Sequence, residues 1–444
     1  MVKTEICGKG SSQGSEEERL SQLPDHLICV ILSHLSTKDA VRTSILSTRW
    51  RNLWQLVPVL DFDSRELRSF SEFVSFAGRF FDLHKDSYIQ KLRVCIYDLA
   101  GNYYLTSWID LVTRHRIQHI DISVFTCSGF GVIPLSLYTC DTLVHLKLSR
   151  VTMVNVEFVS LPCLKILDLD FVNFTNETTL DKIISCSPVL EELTIVKSSE
   201  DNVKVIQVRS QTLKRVEIHR RFDRHNGLVI DTPLLQFLSI KAHSIKNIEF
   251  INLGFTTKVD IDVNLLDPND LSNRSMTRDF FTTISRVRSL VIRHGTIKDI
   301  FHYMELEPLQ QFCYLSELSA VCSISNLEML LNLLKSCPKL ESLSLKLVDY
   351  EKNKKEEVMS STVPPPCLVS SLKFVKLESQ LLGCGTELKV ARYFLENSTI
   401  LEKLTLKIDY MYKDEANVNH IRQTLHAVPR CSSTCEVVIH SLLY

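Results

Sequence analysis

The 444-residue sequence has almost no net charge: 51 Lys+Arg stand against 52 Asp+Glu, giving -1. That balance provides no chain-wide attraction for nucleic acid, and it is not the acidic excess of a solvating, disordered chain. Long apolar runs are also missing. No stretch reaches the roughly 18 apolar residues of a membrane span, and residues 1–18 lack the apolar core of a secretory leader. The expectation is a soluble protein of the cytoplasm or nucleus, with residues 1–18 as a disordered tail. Glycine is scarce, at 12 residues, and forms no phosphate-cradling loop: Gly383-Cys384-Gly385 lacks a further glycine and a long preceding strand. His243, His294 and His302 fall in no H-E-x-x-H or comparable spacing. The 14 cysteines are scattered along the chain, unlike the crowded frame of a small secreted domain. Cys431 and Cys435 have no second pair or suitably spaced histidine to complete a zinc ligand set. No nucleophile motif or cofactor fingerprint is present. The residues point to no catalytic centre, no metal and no cofactor, and to neither nucleic acid nor membrane as partner.

What is abundant is a repeat. A chain of this length exceeds one ordinary core, so two or three domains or a repeat array are required. The template L-x-x-L-x-L, with Ile or Val substituting, occurs at Leu143/Leu146/Leu148, Leu164/Leu167/Leu169, Leu190/Leu193/Ile195, Leu213/Val216/Ile218 and Leu235/Leu238/Ile240. It returns at Val287/Leu290/Ile292, Leu340/Leu343/Leu345, Leu372/Val375/Leu377 and Leu401/Leu404/Leu406. Ile89/Leu92/Val94 and Ile117/Ile120/Ile122 also fit, Leu315/Leu318/Ala320 is weaker, and Val259 with Ile261 reads as a degenerate copy. Start positions lie 21 residues apart from Leu143 to Leu164 and 32 apart from Leu340 to Leu372. That range covers most of, and slightly exceeds, the period of about 20–29 residues usual for leucine-rich repeats. The alternating part is a short strand with one buried face. One unit cannot bury its own apolar face, so the units stack and their strands form a parallel sheet.

Between the strands the sequence predicts helices. Thr179, Leu180, Ile183 and Ile184 form one apolar stripe, and Leu327, Leu330, Leu331 and Leu334 another. Pro188 and Pro338 follow where each helix should have ended. Cys140, Cys186 and Cys337 sit three or four residues before a repeat leucine, where small reduced thiols pack well. From Glu351 to Glu357 the chain is almost all charged, and Pro364 to Pro366 follow, which reads as an exposed linker. After it come a strand Leu372–Leu377, a helix over about Glu387–Leu395, a strand Leu401–Ile408 and a last strand near Val437–Ile439. Tyr410 and Tyr412 beside Lys413 read as an exposed strand end or a contact patch. The pattern fades from Leu253 to Phe281.

Residues 20–56 are different. Pro24 and Asp25 suit a helix start, and Leu27, Ile28, Ile31, Leu32 and Leu35 then make a broad helical stripe. Ser36 and Thr37 cap a second helix with Ala40, Val41 and Ile45; Ser47 and Thr48 cap a third with Trp50, Leu53 and Trp54. Three helices in so few residues form a very small core, and such a unit gains stability by burying its remaining apolar face on a partner. This reading expects Ile28, Leu32 and Trp50 to be at least partly exposed in the isolated chain.

Residues 19–57 resemble the F-box motif. The match runs through Leu23-Pro24-Asp25, the Ile28/Ile31/Leu32/Leu35 helix, Ala40-Val41-Arg42-Thr43-Ser44, and Leu46-Ser47-x-Arg49-Trp50-Arg51-x-Leu53-Trp54. The last block is similar to the form found in plant F-box proteins. Residues 58–366 resemble the leucine-rich repeats that often follow a plant F-box, and residues 367–444 resemble an FBD domain. The resemblance implies an α/β architecture: a three-helix F-box, an irregular leucine-rich-repeat solenoid of parallel sheet plus helices, and a C-terminal α/β FBD unit. It also implies a non-catalytic substrate receptor. The F-box would bind an SKP-type adaptor and through it a cullin and a RING protein, and the repeats would hold a protein substrate not readable from sequence. Carried over residue by residue, the adaptor contacts are Leu23, Pro24, Ile28, Leu32, Val41, Leu46, Ser47 and Trp50. The alternative is a repeat scaffold with no ligase role.

Overall fold

The computed structural model describes residues 23–83, 88–98, 101–126, 129–197, 203–220, 227–242, 245, 247–254, 257–264, 272–323, 326–348, 363–379, 385–408 and 415–441. The tail 1–18, the charged run Glu351–Glu357, Cys384, His243, Tyr410 and Tyr412 lie outside them. Two compact units divide between Thr152 and Met153.

In the first unit, α1 (Asp25–Leu32) and α2 (Thr37–Arg42) precede strand β1 (Val59–Asp63). Helix α3 (Phe70–Leu83) leads to β2 (Lys91–Ile96), and α4 (Gly101–Thr113) leads to β3 (His119–Val124). The two-residue strand β4 (Gly131–Val132) precedes β5 (His145–Ser149) and pairs in parallel with β6 (Val151–Met153). Strands β1, β2, β3 and β5 pair in parallel in that order. Leu60, Leu92, Ile120 and Leu146 stand side by side across the four strands, all buried. Helix α3 closes this layer with Phe73, Ala77, Phe80 and Phe81, and the rings of Phe62 and Phe80 meet edge to face at 5.6 Å.

The second unit contains β7 (Ile166–Asp170), β8 (Asn173–Phe174), α5 (Thr178–Ser185), β9 (Glu192–Lys197), β10 (Val205–Arg209) and β11 (Arg215–Arg220). It continues with β12 (Gly227–Thr232), β13 (Phe237–Ala242), β14 (Asn247–Leu253), β15 (Lys258–Val263), α6 (Ser272–Ile284) and β16 (Ser289–Ile292). Helix α7 (His294–Leu306), β17 (Glu317–Ser323), α8 (Leu327–Lys335) and β18 (Ser342–Val348) follow. The chain then forms α9 (Pro366–Ser370), β19 (Phe374–Ser379), α10 (Gly385–Asn397), β20 (Lys403–Ile408), α11 (Glu415–Ala427) and β21 (Glu436–Ser441). From β7 through β9, β11, β13 and β15 to β21 the strands pair in parallel, without a change of register between one repeat and the next. Val259 and Ile261, which read as a degenerate copy, are full members: they stand against Leu238 and Ile240 on one side and Leu290 and Ile292 on the other. The repeat therefore persists where its pattern fades in sequence.

The path between strands departs from expectation at the short strands β4 and β6 and again over a longer stretch of the second unit. Where the sequence leads one to expect helices, β10, β12 and β14 form a second parallel set. Spacing explains it. The starts of β9, β11, β13 and β15 are 21 to 23 residues apart, whereas those of β15 to β21 are 25 to 33 apart and enclose helices. A strand rises about 3.3 Å per residue and a helix about 1.5 Å. To return the chain over one strand's length of about 16 Å takes roughly five residues of strand or eleven of helix. The six-residue difference falls within the 2 to 12 residues by which the two kinds of repeat differ. Where a helix is present it is the one expected: α5 buries Thr179, Leu180, Ile183 and Ile184, and α8 buries Leu327, Leu330, Leu331 and Leu334.

Candidate functional site

Helix α1 begins at Pro24, whose φ of -56° suits the turn into a helix. Its stripe splits along the axis. Ile28 and Leu32, one turn apart, are wholly buried, while Leu27, Ile31 and Leu35 on the adjoining edge are exposed. Ser36 caps α2, its Oγ accepting from the Asp39 amide. Beyond α2 the chain makes two 3-10 segments, Thr43–Ile45 and Trp50–Leu56, so the expected third α-helix is a tighter coil. Ser47 is not its N-cap, which is Arg49, but its Oγ accepts from the Trp50 amide at 3.4 Å just ahead of the coil.

The core of this unit is Ile28, Leu32, Ala40, Trp50, Leu53 and Val57, with Leu23, Trp54 and Val59 packed at its rim. This corrects the expectation that Ile28, Leu32 and Trp50 are partly exposed: their exposures are 0%, 0% and 5%. The physical reason is size. So small a unit has only its largest side chains with which to fill an interior, and Trp50 is one of the six that do so. These three residues support the surface from beneath. The surface itself is Leu27, Val30, Ile31, Leu35, Ile45, Leu46 and Leu56, with Ile45 at 85% and Leu46 at 66% exposure. Seven of the 26 large exposed apolar side chains among the described residues thus fall within one short segment, too dense for scattered surface residues. Pro24 is exposed beside them, and Leu23, Val41 and Ser47 are half-buried. Val30 and Leu56 also line an open groove of about 510 Å³, together with His26, Cys29 and Pro58.

Two polar devices fix this surface: Arg49, to which the motif gives no role, and Thr37, expected only as a helix cap. Arg49 donates from Nε and Nη2 to Asp25 Oδ1, at 3.0 and 2.6 Å, and from Nη2 to the Leu23 carbonyl. It ties the head of α1 to the coil carrying Ser47 and Trp50. The signal was visible as Asp25 and Arg49 within the matched blocks. Thr37 lies inside α2 and does not cap it; its Oγ1 accepts from the Asp61 amide of the outermost strand β1 at 2.8 Å. That amide would otherwise be an open sheet edge.

Among the described residues no group of three or more His, Cys, Asp or Glu is gathered as a metal set, and no helix is long and apolar enough to cross a membrane. Cys435 is buried and Cys431 exposed. His302 Nδ1 lies 3.6 Å from Glu305 one turn along α7. Cys140 and Cys337 are buried as their repeat positions suggested, while Cys186 is half-buried.

Comparison with known proteins gives three family matches in chain order: an F-box domain over residues 20–62, the LRR repeats of FBD-associated F-box protein At5g56370 over 105–261, and FBD over 360–406. F-box/FBD/LRR-repeat protein At5g53840 of Arabidopsis thaliana is 99% identical over 444 residues, covering 100% of both chains. The chain belongs to the F-box/FBD/LRR-repeat family. A second Arabidopsis thaliana member, F-box/FBD/LRR-repeat protein At1g51370, is 48% identical over 98% of each chain. F-box/LRR-repeat protein 13 of the same plant is 38% identical over 96% of this chain and 98% of its own. The F-box of this family member is thus the helical unit whose exposed apolar surface is described above.

Proposed function

We propose that this chain is the substrate-receptor subunit of an SCF-type cullin-RING ubiquitin ligase. The observation that carries it is the exposed apolar surface of a folded F-box whose own core is already filled. In this reading residues 19–57 dock an SKP-type adaptor through Leu27, Ile31, Leu35, Ile45 and Leu46, with Leu23, Pro24, Val41 and Ser47 at the margin. Ile28, Leu32 and Trp50 hold those contacts in place. The adaptor links the chain to a cullin and a RING protein, and the repeats of 58–366 with the FBD unit of 367–444 hold a protein substrate. F-box proteins are in general non-catalytic adaptors, and the mechanism is proximity. A substrate held beside the charged ubiquitin-conjugating enzyme meets it at a high effective concentration. Its place of action is the cytoplasm or nucleus.

The test is co-expression with an SKP-type adaptor and capture on a tag. Interface anchors commonly cost more than about 2 kcal/mol when lost, or about thirtyfold in affinity. Ile45→Asp with Leu46→Asp should abolish capture while leaving the circular dichroism spectrum unchanged, because neither side chain is in the core. Capture of adaptor at wild-type yield by this variant, or no capture by wild type, would replace the ligase reading with that of a repeat scaffold.

A further inference from the structure

Strand β21 pairs in parallel with β20 on one side, and among the described residues no strand pairs with its other edge. Its backbone is divided between the two sides. The Glu436 amide donates to the Glu402 carbonyl at 2.8 Å, and in a parallel pair alternate residues bond to the same neighbour. Glu436, Val438 and His440 therefore bond to β20, while Val437, Ile439 and Ser441 turn their N–H and C=O groups to the open edge. The side chains show the same incompleteness. Val375 and Leu377 on β19, and Leu404 and Leu406 on β20, are buried. Val437 and Ile439 continue those two columns and are only half-buried. The first strand differs: the Asp61 amide of β1 is taken up by Thr37, and Leu60 and Phe62 are buried. In β21 the six residues Glu436–Ser441 include neither the proline nor the lysine that commonly guards an exposed edge.

We propose that β21 pairs with β21 of a second copy of this chain, antiparallel about a two-fold axis at Val438. The sequence of the edge is complementary to itself in that arrangement. Val437 stands opposite Ile439 of the second copy, and the two exchange both backbone bonds. Val438 stands opposite its own counterpart, with the side chains close, as in a pair without backbone bonds. Glu436 stands opposite His440 of the second copy, so that a carboxylate meets an imidazole that donates to it. Each apolar side chain thus meets an apolar one and each polar side chain a polar one. With the axis at Ile439 instead, His440 would face Val438 and Ser441 would face Val437, and that match is lost. The net charge of -1 sets up little repulsion between copies. A six-residue strand is only about 20 Å long. Its pairing alone buries less than the roughly 1,000 Å² of a stable interface, so the dimer forms at concentrations on the order of 10–100 μM. The inference stands apart from the ligase reading, since β21 lies outside residues 19–57.

The experiment is sedimentation velocity on the full chain over about 5 to 200 μM. The wild type should pass from monomer to dimer and no further, because a two-fold pairing consumes the open edge of both copies. Val438→Lys sets two ammonium groups opposite each other on the axis and should weaken the dimer at least about fivefold. Ile439→Pro removes an N–H on the open edge, leaves the bonds to β20 in place, and should weaken it about tenfold. Glu436→Lys should weaken it also, since the change enters twice. Adding His440→Glu should then restore association to within about threefold of wild type, a rescue that requires residues 436 and 440 to be opposed. Each variant should keep the wild-type melting temperature in dilute solution and capture adaptor as the wild type does, so failure here is distinct from failure of the ligase reading. A chain that stays monomeric up to about 200 μM overturns the inference. So does association that Val438→Lys and Ile439→Pro leave untouched, assembly that continues past the dimer, or a charge exchange that brings no rescue.

Discussion

Leu32→Ala tests whether the F-box core has been assigned to the right residues. Leu32 is fully buried among Ile28, Ala40, Trp50, Leu53 and Val57. Truncating such a side chain removes its transfer energy and leaves a cavity, at about 2–5 kcal/mol. A core of this size rarely contributes more than about 3–5 kcal/mol in all. With about 4 kcal/mol of local stability and about 3 lost, the opened fraction of the unit rises from roughly one molecule in a thousand to roughly one in six. Hydrogen exchange resolves this by residue. The Ser33 amide, bonded to the Cys29 carbonyl at 2.9 Å, should lose about a hundredfold in protection, while amides of β11 and β13 are unchanged. Leu46→Ala, on the exposed side, should leave the Ser33 amide as it was. If Leu32→Ala leaves protection across residues 25–57 intact yet abolishes adaptor capture, Leu32 is a contact residue and the division into core and surface is wrong.

Thr37→Val should remove the acceptor for the Asp61 amide and cost about 1 kcal/mol, read as faster exchange at Asp61 with no change in the second unit. Alkylation at pH 8 followed by mass spectrometry should label the exposed Cys163, Cys313 and Cys431 and spare Cys322 and Cys367. Burial pushes both of the latter thiols up to about 12, leaving about one thiolate in ten thousand at that pH; Cys337 is pushed up also and should be spared with them. Removing residues 367–444 takes away the strand that pairs with β18 and uncovers an apolar edge, so the truncated chain should aggregate more than the full chain under the same conditions. A monodisperse truncation with an unchanged melting temperature would show that β18 needs no cover.

The sheet was legible because its signal is local and repeated. Each x-L-x-L segment names its own buried pair, and all the copies, even Leu315/Leu318/Ala320, pair with a neighbour in one register. The return path was less legible. The segments Val205–Arg209, Gly227–Thr232 and Asn247–Leu253 align an apolar pair each (Ile206/Val208, Leu228/Ile230 and Ile248/Phe250), but none carries the leading leucine of the main template. Their pairing is fixed by the spacing of the main strands, which shows only once those strands are counted. In the F-box, periodicity located a stripe of five residues on α1 and the turn after it and could not say which edge of it turned inward. Ile28 with Leu32 and Ile31 with Leu35 are equivalent i, i+4 pairs by spacing. What separates them is Trp50, which packs from a segment 18 residues beyond Leu32. The pairings made by Arg49 and Thr37 could not be read for the same reason, although Asp25 and Arg49 both stand in the matched blocks, since each joins residues more than twenty positions apart.

The choice between strand and helix on the return path has a consequence for how such a chain can change over generations. Because register is carried by the leucine columns alone, the length of each outward excursion is free within its repeat. A gain or loss of about half a dozen residues exchanges a thin exterior for a thick one and leaves the neighbouring repeats as they were. Insertions that would wreck a closed globule are therefore tolerated one repeat at a time. Relatives built on the same columns can diverge in the bulk and chemistry of their outer layer while the ladder beneath them is inherited intact.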